Sequence, residues 1–484
     1  MNKIHKTKQT IKIALISLQQ DAERVPPVGL VYLSTYMNEK MGIPSDNIKI
    51  FDKNFDDIEA GITKFNPDII GFTSMTVNYG EIIQLARKLR AMSSALFILG
   101  GVHISTLPES LDISFDIGVI GEGEITLSEI IELYLKDKIS QSNLKKIKGI
   151  IFHTNKGVFK TKQREPIENL DDLPIPNFNF VNPNYFKKDE IPSSSKVGIK
   201  CYLFSSRGCP YRCVFCSTSR FWGKMRLHSP DYTAKVVKRA IDDFKADYIK
   251  VMDDLFTISP QRLKEIKNAF EKYGILEKIK GIECQARANL MTDELCRAMR
   301  DIKIETINFG FESGSEKVLS WLKQNSVTVE MNRKAILMCK KYKFRVYGSL
   351  IYGSPNETIE DMNKTNKFID FAIKNNARYL WSFVATPFPA TPFWDIALKK
   401  GIVSNNMDWN LLSHHNFEKP MLLDDSVKKE DFTKVFLDGR AKLRWLKIRM
   451  IIDFLLKHPF FMILRIAKFP KYYFSRTITQ LLKQ

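Results

Sequence analysis

Short apolar runs alternate with longer amphipathic stretches over the first 140 residues of the chain. The amphipathic stretches have the spacing of helices, near residues 28–40, 56–64, 79–91 and 124–136. The apolar runs end in turn residues and predict five buried strands, near residues 11–17, 48–52, 68–74, 95–99 and 116–120. Strands that are apolar throughout are covered on both faces. This order therefore predicts an α/β domain with a doubly wound parallel sheet over residues 1–140.

The same alternation of apolar runs and amphipathic stretches follows a proline-containing connector, residues 141–196. Within this connector, Asn155 to Gly157 predict a hairpin turn. Six further strands are predicted near residues 198–205, 248–252, 281–285, 305–311, 345–351 and 379–385. Six strand and helix units predict a partial (β/α)6 barrel over residues 197–395, open on one side. The chemistry of such a barrel lies at the carboxyl ends of its strands. Residues 396–484 form a predicted helical region.

Charge is concentrated at the end of the chain. The net charge is +20, and residues 441–484 contain ten lysines or arginines against one aspartate. Mixed with apolar residues, this composition predicts a basic amphipathic helix that contacts an anionic membrane surface, or a helical cap packed on the barrel with its lysines in solvent. We expect no nucleic-acid partner. The polar first ten residues and the few cysteines predict a cytoplasmic protein, with membrane association as an option.

Three of the seven cysteines, Cys209, Cys213 and Cys216, lie within eight residues in a C-x3-C-x2-C arrangement. Three thiolates without a fourth can bind three irons of a four-iron cluster and leave one iron open to a ligand. Zinc is the alternative, but it requires four ligands, and the nearest other donors, Cys201 and His228, complete no zinc-binding spacing.

This spacing, with Phe215 before the last cysteine, resembles the signature of the radical S-adenosylmethionine (SAM) enzymes. The resemblance implies a [4Fe-4S] cluster whose open iron binds the amino and carboxylate groups of SAM. An external one-electron reductant then allows cleavage of SAM to a 5'-deoxyadenosyl radical under anaerobic conditions. The resemblance and the barrel's strand ends together predict SAM contacts at Phe215, Arg287, Glu312, Ser313 and Gly353. Asp253, Asp254 and Gln285 are predicted to contact substrate or SAM, although the two aspartates suit a turn or helix cap equally well.

The turns that follow the strands of the first domain resemble those of the cobalamin-binding domain found ahead of the radical domain in one large branch of the superfamily. The resemblance implies cobalamin contacts at Thr73, Ser74, Gly100, Gly101, His103, Gly121, Glu122 and Gly123. A D-x-H-x-x-G motif is missing, so we interpret His103 as a loop residue near the corrin and not as a cobalt ligand. A domain that keeps the fold without the cofactor is the alternative.

The branch that the chain resembles contains the anaerobic Mg-protoporphyrin cyclase and the class B methylases. The resemblance implies methylation of an unactivated carbon in a small-molecule or lipid-like substrate. Oxidative cyclisation or rearrangement without methyl transfer is the first alternative. A non-enzymatic zinc-binding protein of membranes or nucleic acids is the second. A tRNA methylthiotransferase is disfavoured, because that family has extra cluster cysteines in its N-terminal domain and none precedes Cys201 here.

Overall fold

The computed structural model describes residues 6–19, 25–191, 196–413, 420–424 and 427–457. Its first sheet has seven strands in the order β2-β1-β3-β4-β5-β6-β7, and the first five are parallel. These five are β1 Ile13–Ser17, β2 Ile48–Asp52, β3 Ile69–Thr73, β4 Leu96–Gly100 and β5 Ile117–Val119. The helices are α1 Val28–Glu39, α2 Ile58–Phe65, α3 Tyr79–Arg90, α4 Val102–Thr106, α5 Gly123–Leu135 and α6 Gln141–Leu144.

Both faces of this sheet are buried, as the apolar runs predict. Side chains alternate between the faces along a strand, so Ile70 packs in one core while Ile69 packs in the other. The predicted doubly wound parallel sheet is therefore confirmed. The predicted hairpin is also present, as β6 Ile150–Thr154 and β7 Gly157–Lys160, and it extends the same sheet by antiparallel pairing with β5.

The rest of the connector packs against both domains. Tyr185 is buried on the first domain, where its hydroxyl donates a hydrogen bond to Asp52 Oδ2 at 2.5 Å. Phe186 stacks on Phe244 of the second domain, with ring centres 4.0 Å apart. A short hairpin, β8 Asp189–Ile191 and β9 Lys196–Gly198, leads into the barrel.

The second sheet has six strands, all parallel, in the order β10-β13-β14-β15-β16-β17. Within the described residues its first and last strands do not pair with each other, which gives the open, partial barrel that the sequence predicts. The strands are β10 Lys200–Leu203, β13 Tyr248–Val251, β14 Ile282–Ala286, β15 Ile304–Glu312, β16 Arg345–Tyr352 and β17 Tyr379–Val384. A small antiparallel ribbon, β11 Ser206–Arg207 and β12 Arg226–Leu227, follows β10.

The helices around the barrel are α7 Thr218–Trp222, α8 Pro230–Phe244, α9 Pro260–Lys272, α10 Asp293–Asp301, α11 Glu316–Lys323, α12 Val329–Lys341, α13 Ile359–Lys374, α14 Pro392–Lys399 and α15 Lys429–Lys457. Helix α15 packs on α13 and β17 through buried residues such as Phe432, Phe436 and Leu443. This part of the C-terminal region therefore forms a cap on the barrel.

The last 27 residues of the predicted basic region, 458–484, lie outside the described residues. Within the part of the chain that the structure describes, no helix has both the length and the apolar character that a membrane span needs.

Candidate active site

The three cysteines lie on a loop at the carboxyl end of β10, between the paired strands β11 and β12. Cys213 is buried, and Cys209 and Cys216 are half-buried. Burial raises the pKa of the Cys209 and Cys216 thiols. A four-iron cluster takes one thiolate per iron, and this single loop supplies three. Within the described ranges, no three His, Cys, Asp or Glu side chains gather around a point in the manner of a single-ion site.

Arg287, predicted to contact SAM, lies directly against this loop. Its Nη1 donates to Cys213 Sγ at 3.4 Å, and its Nη2 donates to Ser326 Oγ at 2.5 Å. The guanidinium carbon is 3.7 Å from the centre of the Tyr211 ring. The structure therefore places this positive charge beside a predicted cluster ligand. Its contact with SAM stays a prediction.

Glu312 ends β15 in a left-handed backbone conformation, with φ of 59°. Residues other than glycine are rarely held in this conformation unless their surroundings enforce it. Here Glu312 Oε1 accepts a hydrogen bond from Lys323 Nζ at 2.8 Å, and both side chains are buried. Lys323 Nζ in turn lies 5.2 Å from the centre of the Phe215 ring. Phe215 and Glu312, two predicted SAM contacts, are thus brought together by a lysine that the sequence did not single out.

Ser313 and Gly353 face protein atoms in the structure. Ser313 is fully buried, and its Oγ lies 3.2 Å from Thr365 Oγ1 and accepts the backbone N–H of Ser315. A Cβ added to Gly353 would lie 3.0 Å from the ring of Phe432 in helix α15. Their contacts with SAM remain predictions.

Asp253 is buried at the end of β13, where it holds the start of the cysteine loop. Its carboxylate accepts the backbone N–H of Ser205 at 2.7 Å, the Ser205 hydroxyl at 2.6 Å and the backbone N–H of Ser206 at 3.2 Å. Burial raises the pKa of Asp253 to about 6. Asp254 is exposed and accepts from Thr218 Oγ1 at 3.2 Å, whereas Gln285 lies half-buried on β14. Of the three, Asp254 is the one open to solvent.

The predicted cobalamin turns meet at the carboxyl edge of the first sheet. Ser74 donates from both its backbone N–H and its hydroxyl to the Gly100 carbonyl, at 2.9 and 3.0 Å. Gly101 has a φ of 99°, and an added Cβ would lie 2.6 Å from the backbone N and O of Ser74. The Thr73-Ser74 and Gly100-Gly101 turns are therefore interlocked, and only glycine fits at Gly101. In doubly wound sheets a ligand binds in the crevice beyond this edge, and the corrin contacts of these turns stay predictions.

Replacing Gly101 with alanine should destabilise the first domain more than the same change at Gly42. Both glycines have positive φ, but nothing lies within 4 Å of an added Cβ at Gly42. Strain alone costs about 1–3 kcal/mol, and the backbone overlap at Gly101 adds to it. Urea unfolding of the two variants checks this. Equal losses of stability would show that the interlocked turns are not tightly packed.

His103 occupies a helix and not a loop, so the predicted loop position is wrong. It lies in α4 and is fully buried, with its ring centre 3.9 Å from that of Tyr79 and 4.6 Å from that of Trp409. Its two ring nitrogens lie 3.2 Å from Thr76 Oγ1 and 3.0 Å from Ser110 Oγ. Burial lowers the pKa of His103 to about 3. Its nearness to a corrin stays a prediction.

The Gly121-Glu122-Gly123 turn bonds to the cysteine loop. Glu122 accepts hydrogen bonds from Arg207 at 2.5 Å and from Arg226 at 2.9 Å, and Glu124 accepts from Arg207 at 2.6 Å. Burial would raise the pKa of Glu122, but the charge of Arg207 and the hydrogen bonds of both arginines outweigh it and lower this pKa. We call Glu122, Glu124, Arg207 and Arg226 the interdomain clamp. The sequence pointed to Glu122 but not to its partners.

A cavity lies beside the interdomain clamp, where the first domain, the connector and helix α7 meet. Its lining includes Gly121 and Glu122 from the first domain, residues 163–167 of the connector, and Phe221 and Trp222 of α7. The turn after β5 and helix α7, which follows the cysteine loop in sequence, thus border one cavity.

Comparison with known proteins agrees with both domains. Residues 203–369 match the family model of the radical SAM superfamily, and residues 14–131 match that of the B12 binding domain. An uncharacterized methyltransferase of Pyrococcus horikoshii is 28% identical over 449 residues, which cover 91% of this chain and 92% of that protein. The anaerobic magnesium-protoporphyrin IX monomethyl ester cyclase of Rubrivivax gelatinosus is 25% identical, over 84% of this chain and 71% of that protein.

A solved structure is similar in fold over most of the chain. The radical SAM methyltransferase TsrM of Kitasatospora setae, with cobalamin and a [4Fe-4S] cluster bound, superimposes with a TM-score of 0.65. The match has 17% sequence identity and covers 88% of this chain and 81% of TsrM. At this identity the likeness establishes the fold.

Proposed function

We propose that this chain, which carries a B12-binding domain ahead of a radical SAM domain, methylates an unactivated carbon. The observation that supports the proposal is the junction of the two sites. The cysteine loop at the mouth of the barrel is bonded through the interdomain clamp to the predicted cobalamin edge of the first sheet. A radical and a methyl donor would then act on one substrate between the domains.

When bound, the [4Fe-4S] cluster with SAM supplies a radical that removes a hydrogen atom, and cobalamin supplies the methyl group. Cys209, Cys213 and Cys216 would hold the cluster, and Arg287 directs a positive charge at Cys213 Sγ. Phe215 and Glu312 would line the SAM site, with Lys323 fixing the Glu312 carboxylate. The interlocked turns at Ser74 and Gly101 would support the corrin. We propose that the cluster takes its electron from an external one-electron donor and that the protein works in an anaerobic, reducing cytoplasm.

SAM with a trideuterated methyl group tests the proposed reaction. The protein, loaded anaerobically with cluster and cobalamin, is incubated with a low-potential reductant and a small-molecule extract of the source cells. Methylation predicts a product that carries one added, deuterated methyl group, together with 5'-deoxyadenosine. A product that has lost hydrogen and gained no label would favour oxidative cyclisation and overturn the proposal.

We further propose that the C-terminal region contacts an anionic membrane surface and that the substrate is lipid-like. The observation is an apolar stripe at four-residue spacing on α15, where Ile448, Ile452 and Leu456 are exposed, Leu456 by 77%. Apolar side chains at this spacing share one helix face, and the sequence around them is basic. Exposed apolar side chains with basic residues beside them suit contact with an anionic lipid surface.

Replacing Ile452 and Leu456 with glutamate should weaken binding to phosphatidylglycerol vesicles at least about tenfold, since two apolar side chains no longer enter the membrane. The matched control is Ile113→Glu, at a 75% exposed isoleucine of the first domain. Vesicle sedimentation measures binding, which should weaken as salt is added. Equal binding by both variants would contradict the membrane contact.

A further inference from the structure

The cysteine loop is closed at its base by residues that belong to the interdomain clamp. Strands β11 and β12 pair antiparallel, with Arg207 opposite Arg226 and Ser206 opposite Leu227. Opposite residues of an antiparallel pair project to the same face. Both arginines indeed reach the same carboxylate, that of Glu122, from the two ends of the loop.

The interdomain clamp is a buried, charge-balanced cluster. Its four side chains are at most 10% exposed, and two carboxylates face two guanidinium groups. Arg207 uses separate nitrogens for Glu122 and Glu124, and Arg226 Nη1 also donates to the backbone carbonyl of Ile167 in the connector. Buried charges are costly to separate from their partners, so the interdomain clamp holds its four side chains in one arrangement.

Close packing connects the interdomain clamp to the predicted cluster ligands. Arg207 is followed by Gly208, whose φ is 91° and whose added Cβ would meet Trp222 at 3.1 Å and the Lys224 carbonyl at 3.2 Å. Cys209 comes next. From the barrel side, Asp253 holds the backbone of Ser205 and Ser206. The base of the loop is thus held between the two domains, and the loop has little freedom to move relative to either.

We propose that the interdomain clamp positions the cysteine loop against the carboxyl edge of the first sheet and so sets the separation of cluster and corrin. The inference rests on the proposed function for its two cofactors. Arg207 and Glu124 are positioning residues in this account, since they touch the loop base and not the reacting atoms.

The test compares Glu124→Gln with Glu129→Gln in the loaded, full-length protein. Both residues lie on α5 and pair with an arginine, but Glu129 pairs with Arg164 of the connector. Hydrogen–deuterium exchange is measured in peptides that cover residues 206–216. We expect about tenfold faster exchange there in Glu124→Gln, because a charge-assisted hydrogen bond is lost, and wild-type exchange in Glu129→Gln. Exchange that rises only within α5 would overturn the proposal.

A spectroscopic measurement distinguishes a change in the position of the cysteine loop from a general loss of stability. Electron paramagnetic resonance measures how strongly the reduced cluster shortens the spin relaxation of cob(II)alamin, which depends on their separation. We expect altered relaxation in Glu124→Gln and in Arg207→Lys, at unchanged iron and cobalt content. Wild-type relaxation in both variants would overturn the proposal. If the wild-type protein binds no cobalamin, the proposed function fails, whereas the exchange experiment still tests whether the clamp holds the loop.

Discussion

Replacing Cys213 with alanine should abolish the formation of 5'-deoxyadenosine and remove the four-iron cluster. Cys213 is the buried member of the three cysteines and accepts the hydrogen bond from Arg287. Two remaining thiolates cannot hold three irons of a cluster with one open iron. Iron and sulfide should fall from about four each per chain to near zero. Anaerobic reconstitution, iron and sulfide analysis and chromatography of the nucleoside products measure the effect.

The matched control is Cys296→Ala. Cys296 is also buried, but it lies in helix α10 within the apolar core of the barrel. This change should leave the iron content and 5'-deoxyadenosine formation at wild-type values. Activity that survives in Cys213→Ala, or a cluster lost equally in both variants, would contradict the assignment of the ligands.

Replacing Lys323 with methionine should destabilise the barrel by about 3–5 kcal/mol, since it leaves the Glu312 carboxylate buried without its partner. The pair is 6% and 5% exposed, so water cannot compensate for the missing ammonium. The double variant Glu312→Gln with Lys323→Met removes both charges and should recover much of the stability. Thermal and urea unfolding of the three proteins measure the effect.

An exposed ion pair provides the comparison. Lys264 of helix α9 and Glu294 of helix α10 pair with side chains 56% and 60% exposed, and exposed pairs contribute about 0–1 kcal/mol. Lys264→Met should therefore change stability little. If Lys323→Met proved equally mild, Glu312 would not depend on Lys323, and the left-handed conformation of Glu312 would need another support.

The fold was predictable because its signals are local. A buried parallel strand needs an apolar run, and each such run in residues 11–120 became a strand of the first sheet. Gly101 was predictable as a tight-turn residue because a glycine pair follows a strand, and the structure places it against Ser74. The three cysteines also share one short stretch of sequence.

The interdomain clamp was not predictable from the sequence. Arg207 and Glu124 are 83 residues apart, and no periodicity links a residue of one domain to a residue of the next. A lysine on a helix is usually exposed. Only the tertiary structure shows that Lys323 is buried beside Glu312 at the end of β15. His103 was predicted in a loop because a five-residue helix is too short to show a helical period. For the interdomain clamp and Lys323, tertiary packing decided the outcome.

An open iron in the cluster is tested most directly by the electron paramagnetic resonance spectrum of the anaerobically reduced protein with and without SAM. We expect a reduced [4Fe-4S] signal whose g values change when SAM binds the open iron. A signal that SAM leaves unchanged would show that no iron is open. A colourless protein with one zinc and no signal would contradict the cluster itself.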